Sequence, residues 1–168
     1  QDGVFKKMPE EKLNKLLKIP ILSTLIKRKI QKGLGLSNAR IVITAAAPTP
    51  LVLQLWFRKI GVKMVEGYSM TENFGYSHGI LWENSVPGTV GKAMPECEVR
   101  SGDDGEVLVK NEALMDGYYK DPEQTKEVFT SDGFLKTGDI GIIDKKGYLK
   151  ITGRTKDIFK TSKGKYVA

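Results

Sequence analysis

The sequence predicts an α/β fold, a parallel-sheet α/β half followed by a small antiparallel β-barrel-like subdomain. Three observations predict it. Residues 41–66 run in the order apolar strand, helix, apolar strand, which folds as a right-handed parallel crossover. From residue 88 onward, short β-like runs alternate with turn sequences, the texture of an antiparallel barrel or meander. Most of the 18 glycines fall after residue 60, as a turn-rich second half requires. The expected division is residues 1–87 for the α/β half, 88–152 for the β half and 153–168 for a connector, with the seam at Val86-Pro87-Gly88.

The elements follow in order. Residues 9–19 predict a helix: Pro9 lies near its start, Glu10 and Glu11 occupy the first turn, and Pro20 stops it. Leu13, Leu16 and Leu17 share one face. A second amphipathic helix over about 21–32 groups Leu22, Leu25, Ile26 and Ile30, and Gly33 and Gly35 end it. The β-branched run 41–44 is a buried strand. Ala45-Ala46-Ala47-Pro48 follows, three small residues that make a tight turn or let a flat ligand approach the backbone. Thr49 and Pro50 open a helix to about Lys59, with Leu51, Leu55 and Trp56 inward, and 62–66 forms the next strand.

That strand feeds Gly67-Tyr68-Ser69-Met70-Thr71-Glu72, at the carboxyl end where open α/β sheets place ligands. The residue types suit a nucleotide. Tyr68 can lie against a base, Thr71 can hydrogen-bond a phosphate oxygen, and Glu72 can hold a hard cation such as Mg²⁺. His78, the one histidine, has no nucleophilic partner in the sequence and reads as incidental.

In the second half, β runs are expected at 96–100, 106–110, 134–137, 140–143 and 148–152, with one helix at 122–129. Two charged constellations stand out. In Lys136-Thr137-Gly138-Asp139-Ile140-Gly141 the aspartate is either a turn residue or a pair of acceptors for a ribose diol. Gly153-Arg154-Thr155-Lys156-Asp157 is either a polar surface segment near a chain end or an arginine on a nucleotide followed by a flexible, basic connector. Gly88-Thr89-Val90-Gly91-Lys92 lacks the spacing and hydroxyl of a Walker phosphate loop.

Composition narrows the function classes. With 168 residues, 40% of them hydrophobic and 28% charged, the chain resembles a soluble globular protein. A single Cys97 excludes a disulfide framework and points to a reducing, cytoplasmic compartment. The longest apolar stretch, 41–57, is cut by Pro48 and Pro50 and falls short of the roughly 20 residues of a spanning helix. No secretory signal opens the chain, and Gln1 is not a natural start, so a piece of a longer polypeptide is expected. The net charge of +7 is concentrated early, with nine Lys/Arg against three Asp/Glu in residues 1–32. A solvated helix face accounts for it, and peripheral contact with an anionic membrane is the sharper alternative. A non-enzymatic basic module for nucleic acid is disfavoured, because the aromatics are not interleaved with the cations.

Taken together, these stretches resemble the adenylate-forming (AMP-binding) superfamily, and most of all its long-chain fatty acid–CoA ligases. Ala45 to Pro48 resembles the small-residue adenine loop, often Gly-Gly-Ala-Pro. Gly67 to Glu72 resembles the Tyr-Gly-x-Thr-Glu motif, with Ser69 for the usual glycine. Lys136 to Gly141 resembles the Thr-Gly-Asp motif, and Gly153 to Lys160 the Gly-Arg stretch before the C-terminal lid. Pro87 to Gly91 and Gly117-Tyr118-Tyr119 with Pro122-Glu123 are also typical of it.

The resemblance implies part of the acyl-CoA synthetase large-domain fold, with ATP, Mg²⁺ and CoA used to activate a fatty acid. It implies that Ala46, Ala47 and Pro48 cradle adenine and Tyr68 stacks on it. Thr71 would contact the α-phosphate and Glu72 would bind Mg²⁺, the two catalytic positions. Asp139 would accept from the ribose, Arg154 would touch ribose or phosphate, and Lys156 would be the hinge. It also implies that the phosphate loop lies upstream and the lid downstream of these residues, so that 1–168 alone completes neither half-reaction. An adenylating ligase for an aryl or short-chain acid, or one loading a carrier protein, remains the alternative within the class.

Overall fold

The computed structural model describes residues 10–79, 81–155, 159–160 and 166–167. Helix α1 spans Glu10–Leu16 and α2 spans Pro20–Gly33. Pro20 opens α2 at its first turn, where its missing N–H costs nothing and its fixed φ suits a helix. Strands β1 (Val42–Thr44) and β2 (Met64–Glu66) pair in parallel, with Val42 opposite Met64 and Thr44 opposite Glu66. Helix α3 (Leu51–Lys59) makes the crossover between them.

The inner face of α3 differs from the sequence expectation. Leu51 and Leu55 are 49% and 50% exposed, while Gln54 is buried. The reason is the ties Gln54 makes. Its amide nitrogen donates to the Thr49 carbonyl at 2.9 Å and to Glu66 Oε2 at 2.5 Å, and its amide oxygen accepts from the Gly88 N–H at 3.0 Å. One side chain thus joins α3, the end of β2 and the seam between the halves. Apolar periodicity cannot show this, because a satisfied buried amide reads as a polar residue. Replacing Gln54 by Leu strands these partners, at about 1–3 kcal/mol for each buried group left unmet. The expected result is a drop of several degrees in the thermal unfolding midpoint, checked by calorimetry against Leu55→Gln, which changes little.

The second half is an antiparallel meander in the order β3 (Glu98–Ser101), β4 (Glu106–Lys110), β5 (Leu135–Ile143) and β6 (Leu149–Arg154). Among the described residues the sheet stays open rather than closing into a barrel. Helix α4 (Pro122–Val128) connects β4 to β5, and Asp121 caps it by accepting from the Gln124 N–H at 3.0 Å. A short pair, β7 (Phe159–Lys160) and β8 (Tyr166–Val167), follows.

The two β runs expected at 134–137 and 140–143 are one strand. Gly138, at φ +72°, bends β5 without ending it, and its N–H is taken by Glu106 Oε1 at 2.8 Å. The ladder shifts register there on both sides, which turns Asp139 toward its site. The core beneath the sheet consists of Val90, Val107, Val109, Leu135 and Leu149. Tyr68 and Met70 from the first half pack against it. The halves are therefore joined at the point where the site lies. No helix among the described residues is long and apolar enough to cross a membrane.

Candidate active site

The site begins where β2 ends. The Gly67 N–H still pairs with the Thr44 carbonyl at 2.9 Å, and the chain then leaves the sheet. Tyr68 reaches across to the second half, where its hydroxyl donates to Asp139 Oδ2 at 2.7 Å. The other carboxylate oxygen, Oδ1, accepts from Arg154 Nε at 2.8 Å. Asp139 and Arg154 are ladder partners on β5 and β6, so the antiparallel register makes their ion pair. Burial above all, and Asp139 beside it, push the Tyr68 phenol well above its ordinary range. It remains a proton donor at every physiological pH.

Ala46, Ala47, Pro48, Tyr68, Asp139 and Arg154 line one cleft of about 550 Å³. Positions 93 residues apart or more in the chain, 46 and 139 among them, meet there. Ala46 has φ +70°, a left-handed conformation that costs an alanine about 1–2 kcal/mol. That geometry accounts for the glycine often found in the loops that Ala45 to Pro48 resembles.

Thr71 and Glu72 are adjacent to the cleft in sequence but do not line it. They lie on a 3-10 turn, Thr71–Asn73, just beyond Met70, which does. The Thr71 side chain faces solvent. Lys156, the expected hinge residue, lies outside the described residues.

Sequence reasoning missed Glu66, which also lines the cleft. Its carboxylate accepts from the Thr49 N–H at 3.1 Å and from Gln54. Burial raises its pKa, and those two hydrogen bonds work against the rise. The available signal was its position, a lone carboxylate at the carboxyl end of an apolar strand. Thr89, Lys150 and Thr152 line the cleft too, with no signal beyond polarity.

Among the described residues, no group of three or more His, Cys, Asp or Glu side chains gathers to hold a metal ion. Glu72 would be a single carboxylate ligand. That fits Mg²⁺, which is commonly held by one or two carboxylates and otherwise by phosphate oxygens and water. It does not fit a cation that needs a protein cage.

His78 is not incidental to the packing. It is 4% exposed, its ring lies 5.8 Å from that of Tyr68, and its backbone N–H donates to the Tyr68 carbonyl at 2.9 Å. Ser77 Oγ is 2.8 Å from its Nδ1. Burial lowers its pKa to about 4, so the folded state holds it neutral. Unfolding exposes an imidazole of ordinary pKa, about 6.5. Below that value the unfolded chain binds the extra proton. Stability is therefore complete above pH 6.5 and is lost as the pH falls toward 4, by about 3 kcal/mol in all. Denaturant midpoints measured over that pH window should show this loss, and His78→Gln should flatten the dependence.

A family model described as AMP-binding enzyme matches residues 8–119. The chain belongs to the AMP-binding enzyme family. Long-chain-fatty-acid–CoA ligase FadD15 of Mycobacterium bovis is 38% identical over 148 residues, 88% of this chain and 24% of that protein. ATP-bound MatB from Rhodopseudomonas palustris superposes with a TM-score of 0.69 at 36% identity, over 76% of this chain and 28% of that one. The anthranilate CoA ligase AuaEII, bound to anthranoyl-AMP, gives a TM-score of 0.70 at 29% identity, over 79% of this chain and 27% of that one. This AMP-binding chain spans about a quarter of the length of the curated relatives it matches.

Proposed function

We propose that the full-length enzyme containing this chain joins a long-chain fatty acid to CoA through an acyl-adenylate, and that this chain builds the nucleotide-binding face. The observation that carries the reading is the Tyr68–Asp139–Arg154 unit at the edge of the cleft beside residues 46–48. The fatty acid assignment is supported by FadD15, whose name states long-chain fatty acids.

In the first step a carboxylate oxygen of the acid attacks the α-phosphorus of ATP. The α–β bridging bond breaks, and pyrophosphate leaves with its electron pair. In the second, the CoA sulfur attacks the acyl carbonyl, and AMP leaves. Neither step needs a covalent bond to the protein, so catalysis rests on positioning and charge neutralisation. Each Asp139 oxygen carries a second lone pair beyond the one its protein donor uses, and these pairs receive the ribose hydroxyls. Arg154 holds the carboxylate in place and adds positive charge near the phosphates. The backbone of Ala46, Ala47 and Pro48 meets the flat base, with the Tyr68 ring as the opposing wall. Thr71 donates to an α-phosphate oxygen. Glu72 would hold Mg²⁺, which would supply positive charge against the triphosphate. Lys156 serves as the hinge toward a mobile lid.

The test is pyrophosphate exchange into ATP by the full-length enzyme, with saturated acids of graded chain length beside anthranilate. Exchange rising with chain length supports the whole reading. Exchange confined to aromatic or short acids keeps the adenylation and replaces the substrate, the second reading favoured by the likeness to the anthranilate ligase. No exchange with any acid removes both.

The reading includes a cytoplasmic enzyme in peripheral contact with anionic lipid, where long-chain acids partition. On α2, Ile21 and Leu25 are 80% and 59% exposed, in line with Arg28, Lys29 and Lys32. No Asp or Glu occurs in residues 12–65. Salt-sensitive sedimentation with phosphatidylglycerol vesicles, and none with phosphatidylcholine, is the expected outcome.

A further inference from the structure

Tyr118 belongs to a stretch typical of the family, yet the reading above gives it no work. Its hydroxyl donates to Glu72 Oε1 at 2.9 Å. The two residues are 46 apart, so this contact is tertiary. It is also part of a larger clasp. The Met115 N–H donates to the Glu72 carbonyl at 2.8 Å, and Asn111 Nδ2 donates to the Tyr76 carbonyl at 2.7 Å. The segment after β4 therefore grips the 3-10 turn at two points, both on Glu72, and holds the chain just beyond it at Tyr76.

Tyr118 is itself held. Its N–H donates to Thr125 Oγ1 at 2.8 Å, and that hydroxyl donates to the Asp121 carbonyl at 2.7 Å, at the start of α4. Gly117 lets this happen, because a Cβ there would stand 2.7 Å from Thr125 Cγ2. Upstream, Leu114 and Met115 pack on the core. The phenol is thus aimed from a fixed backbone at Glu72, whose own backbone is held in the 3-10 turn.

We propose that Tyr118 is a positioning residue for Glu72, its phenol fixing the carboxylate so that the remaining lone pairs meet the Mg²⁺ carried by ATP. This rests on the reading of Glu72 as the metal-binding carboxylate. A free glutamate must give up rotamer freedom on binding the ion, and a hydrogen-bonded one has already done so. Outer hydrogen-bond partners of this kind contribute about tenfold or more to metal affinity.

The test uses the full-length enzyme, with ATP binding followed by calorimetry over a series of free Mg²⁺ concentrations. Tyr118→Phe keeps the ring and removes the hydroxyl. It should raise the Mg²⁺ concentration for half-maximal effect about tenfold while leaving ATP affinity without Mg²⁺ unchanged. Glu72→Gln, measured alongside, should abolish the Mg²⁺ effect. An unaltered Mg²⁺ dependence in Tyr118→Phe beside a responsive Glu72→Gln overturns the inference and leaves the proposed function standing. So does a Tyr118→Phe protein that melts lower and binds ATP less well at every Mg²⁺ concentration, which is the mark of a structural role. A Glu72→Gln protein with normal Mg²⁺ dependence overturns the metal reading and the inference together.

Discussion

On the proposed function, Glu72→Gln should lower pyrophosphate exchange by the full-length enzyme by about 10²–10³-fold, the range for loss of one preorganised charge-stabilising group. The substitution preserves size and can still accept from the Tyr118 hydroxyl and from the Met115 N–H at the backbone. Folding should therefore be intact, with a thermal midpoint near that of the parent. What changes is charge. An amide oxygen is a weak ligand for a hard divalent cation, whereas a carboxylate is a strong one. Excess Mg²⁺ should recover part of the exchange, which separates weakened ion binding from a misplaced turn. Normal exchange in this variant would mean that the triphosphate charge is met elsewhere.

Gly141→Val should prevent folding. Gly141 lies in β5, and a Cβ there would stand 2.7 Å from Leu149 Cδ1, 2.8 Å from Val107 Cγ2 and 3.1 Å from the Lys150 carbonyl. Val107 and Leu149 are 1% and 0% exposed and belong to the core, so neither can swing out. The Gly141 N–H is engaged by the Gly105 carbonyl at 3.0 Å, so the strand cannot retreat either. Overpacking of one methyl costs about 1–3 kcal/mol, and Gly141→Ala should lose that much in denaturant titration. Valine adds two more carbons to the same space and exceeds what a marginally stable domain tolerates. Gly153→Ala on neighbouring β6, where nothing lies within 4 Å of the added carbon, should change stability by no more than about 0.5 kcal/mol.

Local chemistry carried much of this protein. The order of strands and helices, the parallel pairing of β1 and β2, and the β half after Gly88 follow from apolar runs and glycine turns, which depend on neighbours a few residues away. The cleft residues Ala46, Ala47, Pro48, Tyr68, Asp139 and Arg154 were legible because motif chemistry marks each one separately. The sequence could not say how they are held. Asp139 meets Arg154 because of the β5–β6 register, and Tyr68 meets Asp139 because its ring plugs the core between the halves.

What the sequence left out has one cause. Leu51 and Leu55 read as inward by periodicity, yet the buried position on α3 is Gln54, whose partners lie on β2 and at Gly88. His78 read as incidental rather than catalytic, and the fold adds that it packs on Tyr68. Tyr118 carried no assigned role, yet its hydroxyl ends on Glu72. A polar side chain gains its role from the partner that satisfies it, and when that partner is 12, 34 or 46 residues away only the folded chain brings the two together. The sequence by itself determined which elements form and which groups could do chemistry. The tertiary structure decided which polar groups are buried, which are paired and which are aimed at the site.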